Sequence, residues 1–264
     1  MNFSELTAVA RIGDDAFTTD VDPSSFIVRG PNGGYLAAVL LRAMTERLDD
    51  PARAPRSLTV HYPAAPKVGS ATITTEVVRL GRALATVTAR MDQDGKPMAV
   101  AIAAFSPPWD SPAFAHERAP VVSPVAAVPP RADMMALPFI EYWDQRFAIG
   151  APIGAGADVA ETGGWLRLRE PEPIDAIVMA AMADAWPPAI FTTMANPNPV
   201  PTVDLTVHFR TTLPTLAAPP DEHVLVRFTT HTSADGFLEE DGRVWATDGT
   251  LLAQSRQLAI VLPG

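Results

Sequence analysis

Apolar side chains recur at helical spacing after residue 34: Tyr35, Leu36, Val39, Leu40, Ala43 and Met44 share one face, predicting a helix from about Gly34 to Leu48. Gly30-Pro31-Asn32-Gly33-Gly34 in front of it reads as a turn that leaves backbone N–H groups uncovered at the helix start, and Pro51 closes the segment. A second run, Ile174 to Trp186, opens after Pro171-Glu172-Pro173 and stops at Pro187-Pro188. It is apolar almost all round, so burial on most faces is expected. Elsewhere the alternation has the period of two that belongs to half-buried strands. In Thr202–Arg210, Val203, Leu205, Val207 and Phe209 form the apolar face, whereas Thr202, Asp204, Thr206 and His208 face the other way.

The pattern occurs twice. Ser57-Leu58-Thr59-Val60-His61-Tyr62 returns 147 residues later as Asp204-Leu205-Thr206-Val207-His208-Phe209. Each copy follows a helical stretch and precedes strand-like runs, and each half ends in an Asp-Gly turn (Asp94-Gly95, Asp248-Gly249) before a final apolar run. Between the halves, Ser106-Pro107-Pro108 through Pro129-Pro130 is rich in Pro and Ala and reads as an extended connector unable to enter a sheet interior. The expected division is therefore a first unit over residues 1–106, a connector over 107–134 and a second unit over 135–264, starting near Met135. Two buried helices, each hugged by an antiparallel meander, make an α+β arrangement.

Composition narrows the function. The 264 residues include 20 Lys+Arg and 30 Asp+Glu, a net charge of −10, which argues against broad nucleic-acid binding. With 47% hydrophobic residues the chain can build a large core. No cysteine is present, so disulfides, thiolate nucleophiles and Cys-based zinc sites are excluded. The start, MNFSELTAVARIGDD, is not a signal peptide, and no apolar stretch approaches a membrane span. A soluble, cytoplasmic protein is expected. His116, His223 and His231 lack the spacing of a metal site, and no GxSxG or Walker sequence occurs. Neither metal nor cofactor is implied. His61 and His208 hold equivalent positions of the repeat, which favours an architectural place, for instance between packed sheets, over catalysis.

Asp184 is the first oddity: an acid on an apolar face in the last helical turn, where the helix dipole disfavours an anion. Such a carboxylate needs hydrogen-bond donors, or its pKa rises. A fraying helix end that lets it meet water explains the sequence equally well. Gln257 in the last strand shares a face with Leu251, Ala253, Ser255, Ala259 and Val261, which leans inward. A core glutamine bonded to backbone is the simpler account of it. Thr202 should point away from the core by alternation, although Pro201 can break the pattern there.

Gly33-Gly34 opening an apolar helix, the later helix ending in Ala183-Asp184, Thr202-Val203-Asp204 opening a strand, and Asp248-Gly249…Ala253…Gln257 are together similar to the double-hotdog acyl-CoA thioesterases of the type II, TesB-like family. The resemblance spans nearly the whole chain outside the connector, in order. It implies a double hotdog fold and hydrolysis of acyl-CoA, within fatty acid metabolism, by a water held between an Asp, a Thr and a Gln. By motif these are Asp184, Thr202 and Gln257. It also implies substrate contacts at Gly33, Gly34 and Tyr35, with the helix-start N–H groups meeting the thioester oxygen. Acyl-CoA is then the partner, and a homo-oligomer is left open. The family usually has Gly-Gly-Gln where this chain has Gly33-Gly34-Tyr35. Two other readings of the fold remain: a non-catalytic acyl-CoA or acyl-chain binding protein, and an enoyl-CoA hydratase, which needs an Asp–His pair that Asp204 and His208 imitate poorly.

Overall fold

A computed structural model describes residues 1–131 and 137–263. A one-turn helix α1 (Phe3–Leu6) leads into strands β1 (Ala10–Arg11) and β2 (Ala16–Val21), then the long helix α2 (Gly33–Leu48). Strands β3 (Ala54–His61), β4 (Gly69–Leu80), β5 (Ala85–Gln93) and β6 (Lys96–Ser106) complete the first half. The second half runs through β7 (Trp143–Gly150), β8 (Ala160–Leu168), helix α3 (Ala176–Met182), β9 (Thr202–Phe209), β10 (Val224–Thr230), β11 (Ser233–Ala234), β12 (Phe237–Trp245) and β13 (Leu251–Ile260). The expected boundary near Met135 falls outside the described residues. None of the described helices is long and apolar enough to cross a membrane.

The strands form one continuous antiparallel sheet in the order β1-β2-β4-β5-β6-β3-β9-β13-β12-β10-β8-β7, with β11 paired to β12. From the centre outward the halves mirror each other: β3-β6-β5-β4-β2 on one side, β9-β13-β12-β10-β8 on the other. The repeated sequences form the seam. Ser57 pairs with His208, Leu58 with Val207, Thr59 with Thr206, and so on to His61 with Asp204. Inward Leu58, Val60, Leu205 and Val207 are buried, and the Thr59 and Thr206 hydroxyls hydrogen-bond at 3.0 Å on the other side. His61 and His208 are exposed on that outer surface. Both histidines stand in the seam strands, but the example of a place between packed sheets is corrected: the halves join edge to edge, and among the described residues no sheet lies against these positions.

Helix α2 packs on β3, β4, β5 and β6, and α3 packs on α2. This is the double hotdog architecture, and its second helix departs from expectation. The second helix covers Ala176–Met182, not Ile174–Trp186. Asp175 caps it by accepting from the N–H groups of Ile177 and Val178, both at 2.9 Å. At the other end, ahead of Pro187, which disfavours a helical residue before it, the chain leaves the helix through tight turns at 183–185. A 3₁₀ turn, Ala189–Thr192, packs on β8 and β10 and fills the remaining space.

The connector does not hang free. Val128 packs with Trp165, Leu225 and Trp245 on the outer side of the second half, while Trp165 donates its indole N–H to the Ser123 carbonyl at 2.9 Å. Glu117 pairs with Arg243 at 2.6 Å. The strap covers apolar side chains that alternation along β8, β10 and β12 turns away from the helices.

Candidate active site

Asp184 lies two residues beyond α3, in the turn that unwinds toward Pro187, and faces the N-terminus of α2. Its Oδ2 accepts from the Gly34 N–H at 2.9 Å and from Asn32 Nδ2 at 3.0 Å. Asn32 Nδ2 also donates to the Asp184 carbonyl oxygen at 2.9 Å, while Asn32 Oδ1 accepts from the Tyr35 N–H at 3.0 Å and caps the helix. The acid that opposes the dipole of its own helix is therefore held by the positive end of the other. Burial still prevails over these donors: it raises the Asp184 pKa from 3.8 to about 6, while Gly34, Asn32 and Gly33 pull it down. The fraying account of Asp184 does not describe this turn.

Glycine is required where α2 meets this turn. A Cβ on Gly34 would stand 2.6 Å from the Ala181 carbonyl oxygen and 3.0 Å from Asp184 Cβ; one on Gly33 would stand 3.0 Å from Asp184 Oδ2. Two points about this helix start need correction. The Gly34 N–H is not free for a substrate oxygen, since it is donated to Asp184. Tyr35 does not present its ring to a substrate, because helical geometry turns it into the first-half core, fully buried beside Thr19 and Ser25. Only its backbone takes part in the cap. The aromatic residue at the site is Tyr62, whose Oη donates to the Gly33 carbonyl at 2.8 Å and whose phenol is held neutral by burial and by the charges of Asp184 and Asp204.

Thr202 reverses the expectation from alternation. A bulge between Leu258 and Ala259 skips Val203, so Thr202 pairs with inward-facing Ala259. Its Oγ1 donates to Gln257 Oε1 at 2.9 Å. Gln257 is inward and buried, as its face suggested, but its partners are side chains rather than backbone: Nε2 donates to Glu240 Oε1 at 2.8 Å. Glu240 in turn accepts from the Ala189 N–H. Burial raises Glu240 from 4.5 to about 7, and the charges of Asp184 and Asp241 add to the rise; the Ala189 and Gln257 bonds oppose it.

The structure thus contains two clusters, Asp184–Asn32–Gly34 and Thr202–Gln257–Glu240, that sense each other's charge; no direct bond between Asp184 and Thr202 or Gln257 is present among the described residues. Sequence reading missed Glu240, Asn32 and Tyr62 as site residues. The first carried a signal: Leu238, Glu240, Gly242 and Val244 occupy one face of β12, an acid among inward positions. Asn32 also carried one, as a cap directly before a helix start. Cavities of about 310 and 450 Å³ open elsewhere, beside Arg131 and Arg167 and beside Phe3 and Tyr142, and neither is lined by Asp184, Thr202 or Gln257. Among the described residues no group of three His, Cys, Asp or Glu side chains could hold a metal ion.

Residues 22–106 match the family description "acyl-CoA thioesterase N-terminal domain", and residues 117–261 match "acyl-CoA thioesterase C-terminal domain". The chain belongs to the acyl-CoA thioesterase family. Its fold is similar to that of a hot-dog protein of unknown function from Alicyclobacillus acidocaldarius, with TM-score 0.88 and 28% identity over 99% of this chain and 98% of that one. A candidate thioesterase II from Thermobifida fusca gives TM-score 0.85 and 26% identity over 99% and 97% of the two chains. An acyl-CoA thioesterase II from Mycobacterium marinum, at 20% identity and TM-score 0.81 over 99% and 98%, shares the fold. Over 95 residues the chain is 33% identical to a thioesterase-like protein of Talaromyces wortmannii; that stretch covers 35% of this chain and 27% of the relative.

Proposed function

We propose that this family member hydrolyses acyl-CoA thioesters to free acid and CoA with a water held between Asp184, Thr202 and Gln257. The observation that carries the reading is the Asp184 carboxylate itself. Asn32 and Gly34 donate to Oδ2 and the Gly33 N–H is a further donor, and the carboxylate keeps lone pairs that can take a proton from water. A pKa raised to about 6 makes it a better proton acceptor than an ordinary aspartate while it stays ionised at neutral pH. Water gives one hydrogen to Asp184, rests the other on Thr202 Oγ1, and attacks the thioester carbon with its lone pair. Charge that develops on the thioester oxygen lies in the positive field at the start of α2. Collapse of the tetrahedral adduct expels the CoA thiolate. No covalent intermediate is needed.

Release of free thiol from purified protein and acyl-CoA, measured with a colorimetric thiol reagent across acyl lengths, tests the reading. The chain has no cysteine, so it adds no background of its own. Thiol release that depends on Asp184 supports hydrolysis. Binding of acyl-CoA without release at any length supports the non-catalytic binding protein instead.

A further inference from the structure

We propose that Glu240 is a positioning residue of this site: its carboxylate decides which way the Gln257 amide faces and, through the amide, where the Thr202 hydroxyl points its hydrogen. The proposal rests on the hydrolytic reading above and deepens it.

The β12–β13 register sets Glu240 directly opposite Gln257, both on the inward face and both buried. An ionised carboxylate accepts hydrogen bonds and donates none. Glu240 therefore compels Gln257 to turn its NH₂ toward it, which presents the amide oxygen to Thr202. Thr202 must then spend its hydrogen on Gln257 and face the water with lone pairs. A water that donates to both Asp184 and Thr202 keeps its own lone pair for the thioester carbon.

Protonation of Glu240 reverses the chain. The Ala189 N–H is a fixed donor and holds Oε2 as an acceptor, so the proton sits on Oε1 and is donated to Gln257. The amide must flip, Thr202 must accept from it, and the freed hydroxyl hydrogen points at the water's lone pair, where it competes with attack. The groups that bias this switch are Asp184 across the site and Asp241 beside Glu240 on the strand, the latter engaged by Arg256 at 2.6 Å on the outer face. Both acids favour the neutral form, as does burial, which brings the group to about 7.

Glu240→Gln tests the device because it is isosteric and fixes the reversed state. Its single oxygen is claimed by the Ala189 N–H, so its NH₂ faces Gln257 and flips that amide at every pH. Expected is a kcat reduced about tenfold or more near pH 8 with KM changed less than about twofold. The acid limb of log kcat against pH, steeper than one in the natural protein because Glu240 and Asp184 both titrate, should relax to a slope of one. On a Gln257→Ala background the same substitution should cost less than about twofold further. A folded Glu240→Gln with kcat near that of the natural protein, or with an unchanged acid limb, overturns the proposal. If the variant does not fold, the natural protein's acid limb decides: steeper than one supports the proposal, a slope of one overturns it. Asp184→Asn measured alongside separates the two readings. Full activity there overturns hydrolysis by Asp184, whereas its loss beside an undisturbed Glu240→Gln overturns only the role of Glu240.

Discussion

The Gly34 N–H and the Asp184 carboxylate meet at 2.9 Å although 150 residues separate them in the chain. The first half supplies an open helix start and the second supplies an acid that needs one. Asn32 donates to the same oxygen at 3.0 Å, so two groups of the first half converge on one atom of the second.

That geometry makes Asp184→Asn a clean test. An asparagine that places its carbonyl oxygen in the Oδ2 position keeps both hydrogen bonds and loses only the proton-accepting anion. Thiol release should fall by about 10²–10⁴-fold, the usual contribution of a general base, with the circular dichroism spectrum unchanged. Adding Thr202→Ala or Gln257→Ala should cost much less than either does alone, since all three act on one water.

The same substitution should alter stability in a pH-dependent way. Asp184 is raised from 3.8 unfolded to about 6 folded, so between those values the folded chain holds more protons than the unfolded one. Stability then falls as pH rises through that window and stays lowered above it. Asp184→Asn should be more stable than the natural protein by about 1–3 kcal/mol near pH 8, with the gain gone near pH 4. Denaturant titrations at the two pH values check this; an equal difference at both contradicts it.

Gly34→Ala should destabilise in spite of alanine's better helix propensity. Its methyl group would lie 2.6 Å from the Ala181 carbonyl oxygen, a backbone atom that cannot swing aside. The expected net loss is about 1–3 kcal/mol by thermal or denaturant unfolding, after about 1 kcal/mol of propensity gain. Activity should fall with it, because α3 and the Asp184 turn must shift together.

A single site per chain is expected despite the duplicated fold. By the repeat offsets Ala103 and Pro55 stand where the second half has Gln257 and Thr202, so the first half lacks the polar groups. A non-hydrolysable acyl-CoA analogue titrated by calorimetry should saturate at one equivalent per chain. Saturation at two would mean that the halves bind independently.

Local rules carried much of this protein in its sequence. Helical spacing located α2, the Asp-Gly signals located the hairpins, and the six-residue repeat named the two strands that became the seam. The inward lean of Gln257 followed from period-two alternation, and the misplaced charge of Asp184 followed from helix electrostatics. Each depends on neighbours within a few residues. Tertiary structure decided what those rules could not reach. A bulge opposite Ala259 turned Thr202 inward, because one skipped residue reverses the side chains on its far side relative to the rest of the strand. Pro187 and the cap at Asp175 shortened α3 and left Asp184 in a turn. Edge-to-edge pairing exposed His61 and His208. Asp184 and the α2 start that carries Asn32 and Gly34, like Thr202, Gln257 and Glu240, come from separate elements whose meeting depends on packing across the whole molecule. Sequence marks which groups are out of place for their own segment; only the packed sheet and helices determine which distant groups make that place suitable.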